Sequence, residues 1–490
     1  MALIADSLTI SGGVTSTGLV AGNSTVPAAQ YRIINVSGAK AVLNNGVVSS
    51  GGSLTASAGA LINGVTAYAG GSMRCYSGGV ASNLVCSGGS VRFDGGAAAY
   101  GVIASGGTVS FKTRVDNVQV GANGKIGFEG GAGIGGNRTN FTSTQLVGGT
   151  QYYNMHINCT NGVLTGSISK TFGIYSGIVA NNMSIVSGGN FFVNSGGVMS
   201  GGTMVGGLLQ LRNGAVCNGF TMSGGTVSAS NGSILRDLTV SGGVLTVVNG
   251  APTYDLRVEG DTARVALYGG TVLGGGRTNF TAGQINAGAD FVNNVNCTNG
   301  ELTGVLNKNL TIRAGIHAED LSIINLGLTL SSGALMNGGT VTAGASTLIS
   351  SGAVVNGILY NGGSCVLNSG GMADDIVVSG GGTATIYNGA TVRGATLRSG
   401  SVTVLDGAPV YDLQVSGDNT LVKLCGGAVL GGDKTTFTAA QIAAGTAYVN
   451  NINCASGALT GVARTATSRR SRRRERTAIG SHPKKSWRLP

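Results

Sequence analysis

The sequence is poor in charged residues, in proline and in aromatic side chains. Of its 490 residues only 10% are charged, five are proline and one is tryptophan, whereas 89 are glycine. Collagen is excluded, because it needs glycine at every third position together with much proline. Disorder of the whole chain is not expected either, since disordered chains combine high charge with low hydrophobicity, and the mean hydropathy here is +0.25.

Long apolar runs and a basic amino-terminal segment are also lacking. No run of apolar residues reaches the length of a transmembrane helix. The first five residues are apolar, but no basic residue precedes them and Asp6 interrupts them at once. The sequence therefore predicts neither an export signal nor a membrane anchor in this chain.

The net charge of +11 is concentrated at the C-terminal end. Residues 464–490 carry ten Arg and Lys against Glu475 alone, which is +9 and leaves +2 for the rest. Because residues 1–463 are nearly neutral, they produce no broad electrostatic field that would attract nucleic acid. We interpret 464–490 as a basic disordered tail and favour a shifted reading frame as its origin, because it begins inside a repeat copy. Nucleic acid is a partner only if this tail is genuine.

What the sequence does contain is a repeat of 18 residues, clearest between residues 187 and 258. Glycine doublets recur one period apart, and each is followed two and four residues later by apolar side chains. The apolar residues form two columns: Phe191, Leu209, Val227 and Leu245, then Val193, Leu211, Ala229 and Val247. Apolar residues two apart indicate an extended chain with one face buried.

Equivalent positions at a fixed period indicate that each turn of the chain stacks on the one before. One 18-residue coil cannot enclose a core alone, but stacked coils share one. Glycine and Asn-Gly pairs supply the positive φ of tight corners. The sequence predicts an all-β fold, a single-stranded parallel β-helix (β-solenoid) with 18–19-residue rungs. We expect an N-terminal cap over residues 1–35, the β-solenoid over 36–463 and the tail over 464–490.

A longer repeat lies over the short one. Residues 135–166, 274–304 and 431–461 are three copies of one module, whose phenylalanines are 141, 280 and 437. The two offsets, 139 and 157, differ by 18, so the later block is one rung longer. That difference independently supports 18 residues as the structural unit.

The aromatic residues of these modules are the candidate contact sites. Their rings could offer stacking surfaces to sugars, although the ring nearest the paired asparagines is favoured as a core residue instead. The candidates for surface contact are Tyr152, Tyr153, Phe291 and Tyr448.

The repeats Val48-Ser49-Ser50-Gly51-Gly52, Cys86-Ser87-Gly88-Gly89 and Val240-Ser241-Gly242-Gly243 resemble the passenger repeats of AIDA-type autotransporter adhesins. The resemblance covers about residues 40–460. It implies a structural rod at the bacterial cell surface, in the outer membrane or outside the cell, that mediates adherence, autoaggregation or biofilm contacts. Its partners would be host or bacterial surface glycans or proteins, or further copies of itself, and it would have no small-molecule substrate.

Members of that family can be glycosylated on outward Ser and Thr, and the column Thr203, Thr221 and Thr239 would suit this modification. The family also carries an export signal and a translocator barrel, which are not recognisable in this chain. The resemblance is therefore to a fragment of a passenger domain.

The alternative function is that of a β-helix polysaccharide lyase or hydrolase. Such enzymes need carboxylates, usually with Arg or Lys, that converge on one face. Asp374 and Asp375 form an adjacent acidic pair, but we expect no basic residue at a rung-equivalent position beside them. Asp255 and Asp412 are repeat-equivalent, which favours a structural role. We predict no catalytic residues and no enzyme activity.

Eight cysteines suggest a disulfide framework or a metal site only at first sight. Bridged cysteines must lie close together, and Cys159, Cys297 and Cys454 are many rungs apart. Cys217 falls in one column with Met199 and Leu235, which is typical of a small buried hydrophobe. Because no Cys-x-x-Cys pair and no histidine cluster is present, we predict free structural thiols, no metal and no cofactor.

Overall fold

The computed structural model describes residues 5–22, 30–148 and 156–464, and short β-strands make up most of them. Contacts divide the chain into two compact units. Unit 1 comprises Met1–Thr340 and Gly344–Thr347, and unit 2 comprises Val341–Ala343 and Leu348–Pro490. The predicted tail lies outside the described residues, except for Arg464.

The strands of unit 1 are mostly three to seven residues long. Two 3₁₀ helices, Ser143–Gln145 and Ala282–Gln284, interrupt them. The strands are Ala5–Ile10, Thr15–Thr17, Val20–Ala21, Gln30–Ser37, Val42–Asn44, Val47–Val48, Ser53–Ser57, Leu61–Asn63, Thr66–Tyr68, Ser72–Cys75, Val80–Ser82, Val85–Phe93, Ala98–Tyr100, Ile103–Phe111, Arg114–Asp116, Gln119–Phe128, Gly133–Gly135, His156–Thr160, Val163–Ile168, Thr171–Ile174, Val179–Ile185, Asn190–Val193, Val198–Met204, Leu208–Leu211, Val216–Asn218, Thr221–Met222, Thr226–Ala229, Ile234–Arg236, Thr239–Val240, Gly243–Val247, Pro252–Tyr254, Arg257–Val258, Ala263–Leu267, Thr271–Gly274, Val295–Thr298, Glu301–Leu306, Leu310–Ile312, His317–Glu319, Ser322–Ile323, Leu326–Leu330 and Leu335–Asn337.

Unit 2 is built from strands of the same kind and contains the 3₁₀ helix Ala439–Gln441. Two strands, Thr340–Thr342 and Ala345–Ile349, include residues of both units. The remaining strands are Val354–Asn356, Leu359–Asn361, Ser364–Leu367, Met372–Asp374, Val377–Ser379, Thr383–Ile386, Thr391–Arg393, Thr396–Leu397, Gly400–Val404, Pro409–Tyr411, Gln414–Val415, Thr420–Leu424, Val429–Gly431, Asn450–Ala455 and Ala458–Arg464.

The strand register in unit 1 confirms the 18-residue period. Phe191 pairs with Leu209, Leu209 with Val227 and Val227 with Leu245, each step being 18 positions in parallel register. These four side chains are fully buried. One thirteen-stranded sheet, from Thr15–Thr17 to Ala263–Leu267, lies wholly in this unit. Unit 1 is a β-solenoid.

Unit 2 repeats the arrangement. Val355 pairs with Ala373, Ala373 with Val392 and Val392 with Val410, all in parallel and all fully buried. The steps are 18 or 19 residues. Unit 2 is likewise a β-solenoid, and the predicted fold class is confirmed for both units.

The corners of the coils contain the Asn-Gly pairs that the sequence analysis predicts there. Gly214, Gly232 and Gly250, each preceded by asparagine, have φ of 77–78°, a left-handed conformation that glycine adopts without penalty. The amide nitrogen of Gly214 donates to the carbonyl oxygen of Gly232 at 3.0 Å, and that of Gly232 to Gly250 at 3.1 Å. Each corner is therefore hydrogen-bonded to the corner of the next coil.

Part of the predicted N-terminal cap already pairs with the coils that follow it. Thr15 pairs in parallel with Val42, and Val20 with Val47. Strands over residues 5–22 therefore share the register of the solenoid, whereas residues 1–4 and 23–29 lie outside the described residues.

A stack of phenylalanines fills one stretch of the core of unit 1. The rings of Phe93 and Phe111 stack with centroids 5.3 Å apart, and those of Phe111 and Phe128 are 5.9 Å apart. Phe172 contacts Phe128 edge to face at 5.1 Å. All four rings are buried. Phe93, Phe111 and Phe128 occupy in-register positions of successive coils, which brings three identical side chains together.

Candidate binding surface

Each of the three long modules contains an antiparallel hairpin, whereas the sequence analysis predicted only parallel strands. His156–Thr160 pairs with Val163–Ile168, Val295–Thr298 with Glu301–Leu306, and Asn450–Ala455 with Ala458–Arg464. The turn residues Asn161-Gly162, Asn299-Gly300 and Ser456-Gly457 all have positive φ. Such pairs are typical of two-residue hairpin turns. The Asn-Gly pairs were the signal that could have revealed two of the three hairpins.

The repeated polar residues of the modules bind one another. In the second module Asn296 Oδ1 accepts from the Ala282 amide at 2.8 Å, and Gln284 Oε1 accepts from the Thr281 amide at 2.8 Å. Cys297 Sγ lies 3.3 Å from the carbonyl oxygen of Thr278. Equivalent bonds recur in the other two modules. The repetition of these residues is thus explained by the local fold.

The candidate aromatic residues are only partly accessible. Phe291 is half-buried and packs edge to face on Tyr268, with ring centroids 4.8 Å apart. Tyr448 is half-buried, and its backbone forms an isolated antiparallel β-bridge with that of Cys425. The expectation that the ring nearest the paired asparagines fills a core layer is wrong for Phe291, because the neighbouring Val292 takes the core position. Tyr152 and Tyr153 lie outside the described residues.

The threonine column faces outward for part of its length. Thr203 pairs with Thr221 and Thr221 with Thr239, as the period predicts. Thr203 and Thr221 are exposed, whereas Thr239 is covered by Arg257, which donates to its hydroxyl at 3.0 Å. Two hydroxyls of this column are therefore available at the surface.

No disulfide joins any of the eight cysteines, all of which lie in the part of the chain that the structure describes. Seven are buried and Cys425 is half-buried. Burial raises the pKa of Cys75, Cys159, Cys217 and Cys297 to about 12. Cys217 pairs with Met199 and Leu235 in the predicted column. Protonated, buried thiols are poor nucleophiles and poor metal ligands.

The acidic pair Asp374 and Asp375 has a basic neighbour that the sequence analysis did not predict. Arg393 stands in register beside Asp374, so the prediction that no basic residue occupies a rung-equivalent position is wrong. The neighbouring Asp375 lies at a corner with φ of 50°. Asp255 and Asp412 have the same conformation and accept backbone amides of the next coil at 3.0 and 3.1 Å, which is a structural role.

Salt bridges connect outward side chains along unit 1. Arg74 binds Asp94 at 2.7 Å, Arg92 binds Asp94 at 2.9 Å, and Arg92 also binds Glu129 through both carboxylate oxygens. The two guanidinium groups hold the pKa of Asp94 below its ordinary value against burial, which raises it. These charges are compensated within the protein and offer little to a ligand.

The surface cavities of the described residues include one in each unit. One of about 410 Å³ in unit 1 is lined by Glu301, His317 and Glu319 beside the second hairpin turn. The other, about 320 Å³ and apolar, lies in unit 2 among Leu424 and Leu459 with their neighbours. Across residues 5–22, 30–148 and 156–464, no three His, Cys, Asp or Glu side chains converge in a way that could hold a metal ion.

The described part of the chain contains no helix with the length and apolarity needed to cross a membrane.

Comparison with solved structures finds six similar chains. No family model matches the chain. No curated protein matches it either. The chain is similar to the crystal structure of the TibC-catalyzed hyper-glycosylated TibA55-350 fragment, with 17% sequence identity over 82% of this chain and 98% of that chain and a TM-score of 0.23. At this TM-score the similarity adds no argument to the fold that the strand register establishes.

Proposed function

We propose that the protein is an adhesin-like structural protein of the bacterial cell surface or extracellular space, a passenger fragment of the AIDA autotransporter type. The observation that carries this proposal is that outward side chains recur once per coil, as Thr203 and Thr221 do. Many equivalent weak contacts add up when a repetitive surface meets another, without any single deep pocket. The resemblance of the Ser-Gly-Gly repeats to passenger repeats supports the same function.

The proposed partners are surface glycans or proteins of host or bacterial cells, or other copies of the protein. The proposed mechanism is binding without turnover, because the polar residues of each module are engaged in its own hairpin and 3₁₀ helix. Adherence, autoaggregation and biofilm contacts are the three forms that such binding would take.

Beads coated with the purified full chain test this function. We expect them to adhere to bacterial or epithelial cells, with a retained fraction that rises steeply with coating density, because multivalent contacts reinforce one another. Beads coated with the denatured chain are the matched control. Equal retention of both kinds of bead would reject the proposal, and so would release of reducing ends from polysaccharides by the purified chain, which would favour the enzyme.

A further inference from the structure

An outward column of unit 1 places two arginines around one tyrosine. Arg236 pairs with Tyr254 on the next coil, and Tyr254 with Gly274 on the coil after it. Arg313 follows on the fourth coil, where its amide nitrogen donates to the carbonyl oxygen of Leu273 at 2.9 Å. At about 4.8 Å per coil the column spans roughly 14 Å. We call these residues the arginine–tyrosine column.

The tyrosine ring is fixed by its neighbours on both sides. Cζ of Arg236 lies 5.5 Å from the ring centroid, within the range of a cation–π contact. Nη1 of Arg313 donates to the hydroxyl of Tyr254 at 3.0 Å. The ring lies so close to Gly274 that a Cβ atom there would be 2.5 Å from Cδ1 of the ring. Glycine at this position therefore allows the ring to lie against the coil.

The two arginines of the column carry uncompensated charge. Both side chains belong to exposed residues, and no salt bridge within 4.0 Å joins either to a carboxylate in the part of the chain that the structure describes. The adjacent Arg277 differs, because Asp237 and Asp255 both hold it. A guanidinium has five N–H donors, and Arg313 uses one of them on Tyr254. Donors for an anionic ligand remain on both sides of the ring.

The same column contains a buried polar atom without a hydrogen-bond partner. Asn218 stands in register one coil before Arg236, and its Oδ1 atom is buried without a hydrogen-bond partner. Buried acceptors in native proteins are nearly always paired with protein or with ordered water. The Oδ1 atom of Asp374, at the equivalent position of unit 2, is also buried without a partner, so this feature by itself does not distinguish the column of unit 1.

We propose that the arginine–tyrosine column binds an acidic oligosaccharide that lies along the coils. Its carboxylate or sulfate groups bind Arg236 and Arg313 by charge-assisted hydrogen bonds. A pyranose face packs on the exposed part of Tyr254. The proposal deepens the proposed adhesive function, on which it rests, by naming a ligand class and its site.

Unit 2 contains a natural comparison for this site. Arg393 pairs with Tyr411, and Tyr411 with Gly431, at positions 157 residues beyond Arg236, Tyr254 and Gly274. The ring of Tyr411 covers Gly431 as Tyr254 covers Gly274. Asp374 stands where unit 1 has Asn218, so that unit 2 has a carboxylate in register beside its arginine and unit 1 a neutral amide. We therefore expect little binding of an anion in unit 2.

Titration of the full chain with hexagalacturonic acid, with maltohexaose as the neutral probe, tests the proposal. Arg236→Gln and Arg313→Gln should each weaken hexagalacturonate binding about tenfold, because each removes a charge-assisted contact. Gly274→Ala, which displaces the ring, should weaken it as well. Arg393→Gln and Arg74→Gln remove the same charge elsewhere and should change it less than about twofold. Thermal unfolding of each variant shows that the fold is retained.

Arginine labelling with phenylglyoxal and mass spectrometry locates the bound probe. Hexagalacturonate should protect Arg236 and Arg313 and leave Arg74 reactive. Protection confined to residues 464–490, or better protection of Arg236 by a single-stranded oligonucleotide than by the saccharide, would overturn the proposal. Loss of saccharide binding in Arg236→Gln with unchanged adhesion of coated beads would support the site while showing that adhesion uses other contacts. Adhesion to cells with no saccharide binding by the native chain would reject the site and leave the adhesive function standing.

Discussion

Phe111→Ala tests the central physical claim, that each coil is stabilised by its neighbours. The ring of Phe111 is fully buried and stacks on Phe93 and Phe128, with interplanar angles of 13° and 27°. Removing a buried phenylalanine side chain costs about 3–5 kcal/mol, and each lost aromatic pair adds about 0.5–1.5 kcal/mol. The free energy of unfolding of this region should therefore fall by about 4–8 kcal/mol.

The effect should be local as well as large. In a solenoid each coil contacts only the coils before and after it. Hydrogen–deuterium exchange followed by mass spectrometry should show loss of amide protection around Val91, Val109 and Ile126, with protection around Val227 unchanged. Tyr100→Ala, at a residue that is 47% exposed, is the control and should change little. A uniform loss of protection that includes Val227, or an effect no larger than that of Tyr100→Ala, would refute the reasoning.

Two further predictions concern the corners and the thiols. Gly51 and Gly225 both have positive φ, but a Cβ atom at Gly51 meets nothing within 4 Å, whereas at Gly225 it would lie 2.7 Å from the Gly207 carbonyl oxygen. Urea unfolding should show that Gly51→Ala lowers the free energy of unfolding by about 1–2 kcal/mol and that Gly225→Ala lowers it clearly more. Equal losses in the two variants would contradict the close packing of the corners. Iodoacetamide at about pH 8 should label half-buried Cys425 before Cys217, because Cys217 is buried with a pKa of about 12 and its thiolate is scarce below that pH. Equally fast labelling of both thiols, measured by mass spectrometry, would contradict the burial of Cys217.

The 18-residue period of the sequence was sufficient to predict most of the fold. Because coils stack in register, spacing alone placed Phe191, Leu209 and Val227 in one buried column, and the structure confirms it. Spacing could not reveal the hairpins, because a reversal of strand direction leaves the alternation of buried and exposed residues intact. Asn161-Gly162 and Asn299-Gly300 lie at hairpin turns, but Asn-Gly pairs such as Asn213-Gly214 also lie at solenoid corners, so the pair alone does not distinguish the two.

The candidate surface was less predictable than the core. The sequence identified Phe291 and Tyr448 as notable, but whether a ring enters the core depends on its neighbour: Val292 is buried and Phe291 rests on Tyr268. The register was sufficient to align Arg236 with Tyr254. The contact of Arg313 with that ring was not predictable, because the second long module separates the two residues by 59 positions.

The hydrogen-bonded corners have a consequence for the chemical ageing of the protein. Asn-Gly is the dipeptide most prone to deamidation, in which the glycine amide nitrogen attacks the asparagine side chain and closes a succinimide ring. At Asn213 and Asn231 that nitrogen donates to the corner of the next coil, so the attack requires this bond to open first. Intact coils thus shield their own asparagines, and isoaspartate should form at Asn213 and Asn231 only where local unfolding breaks this bond.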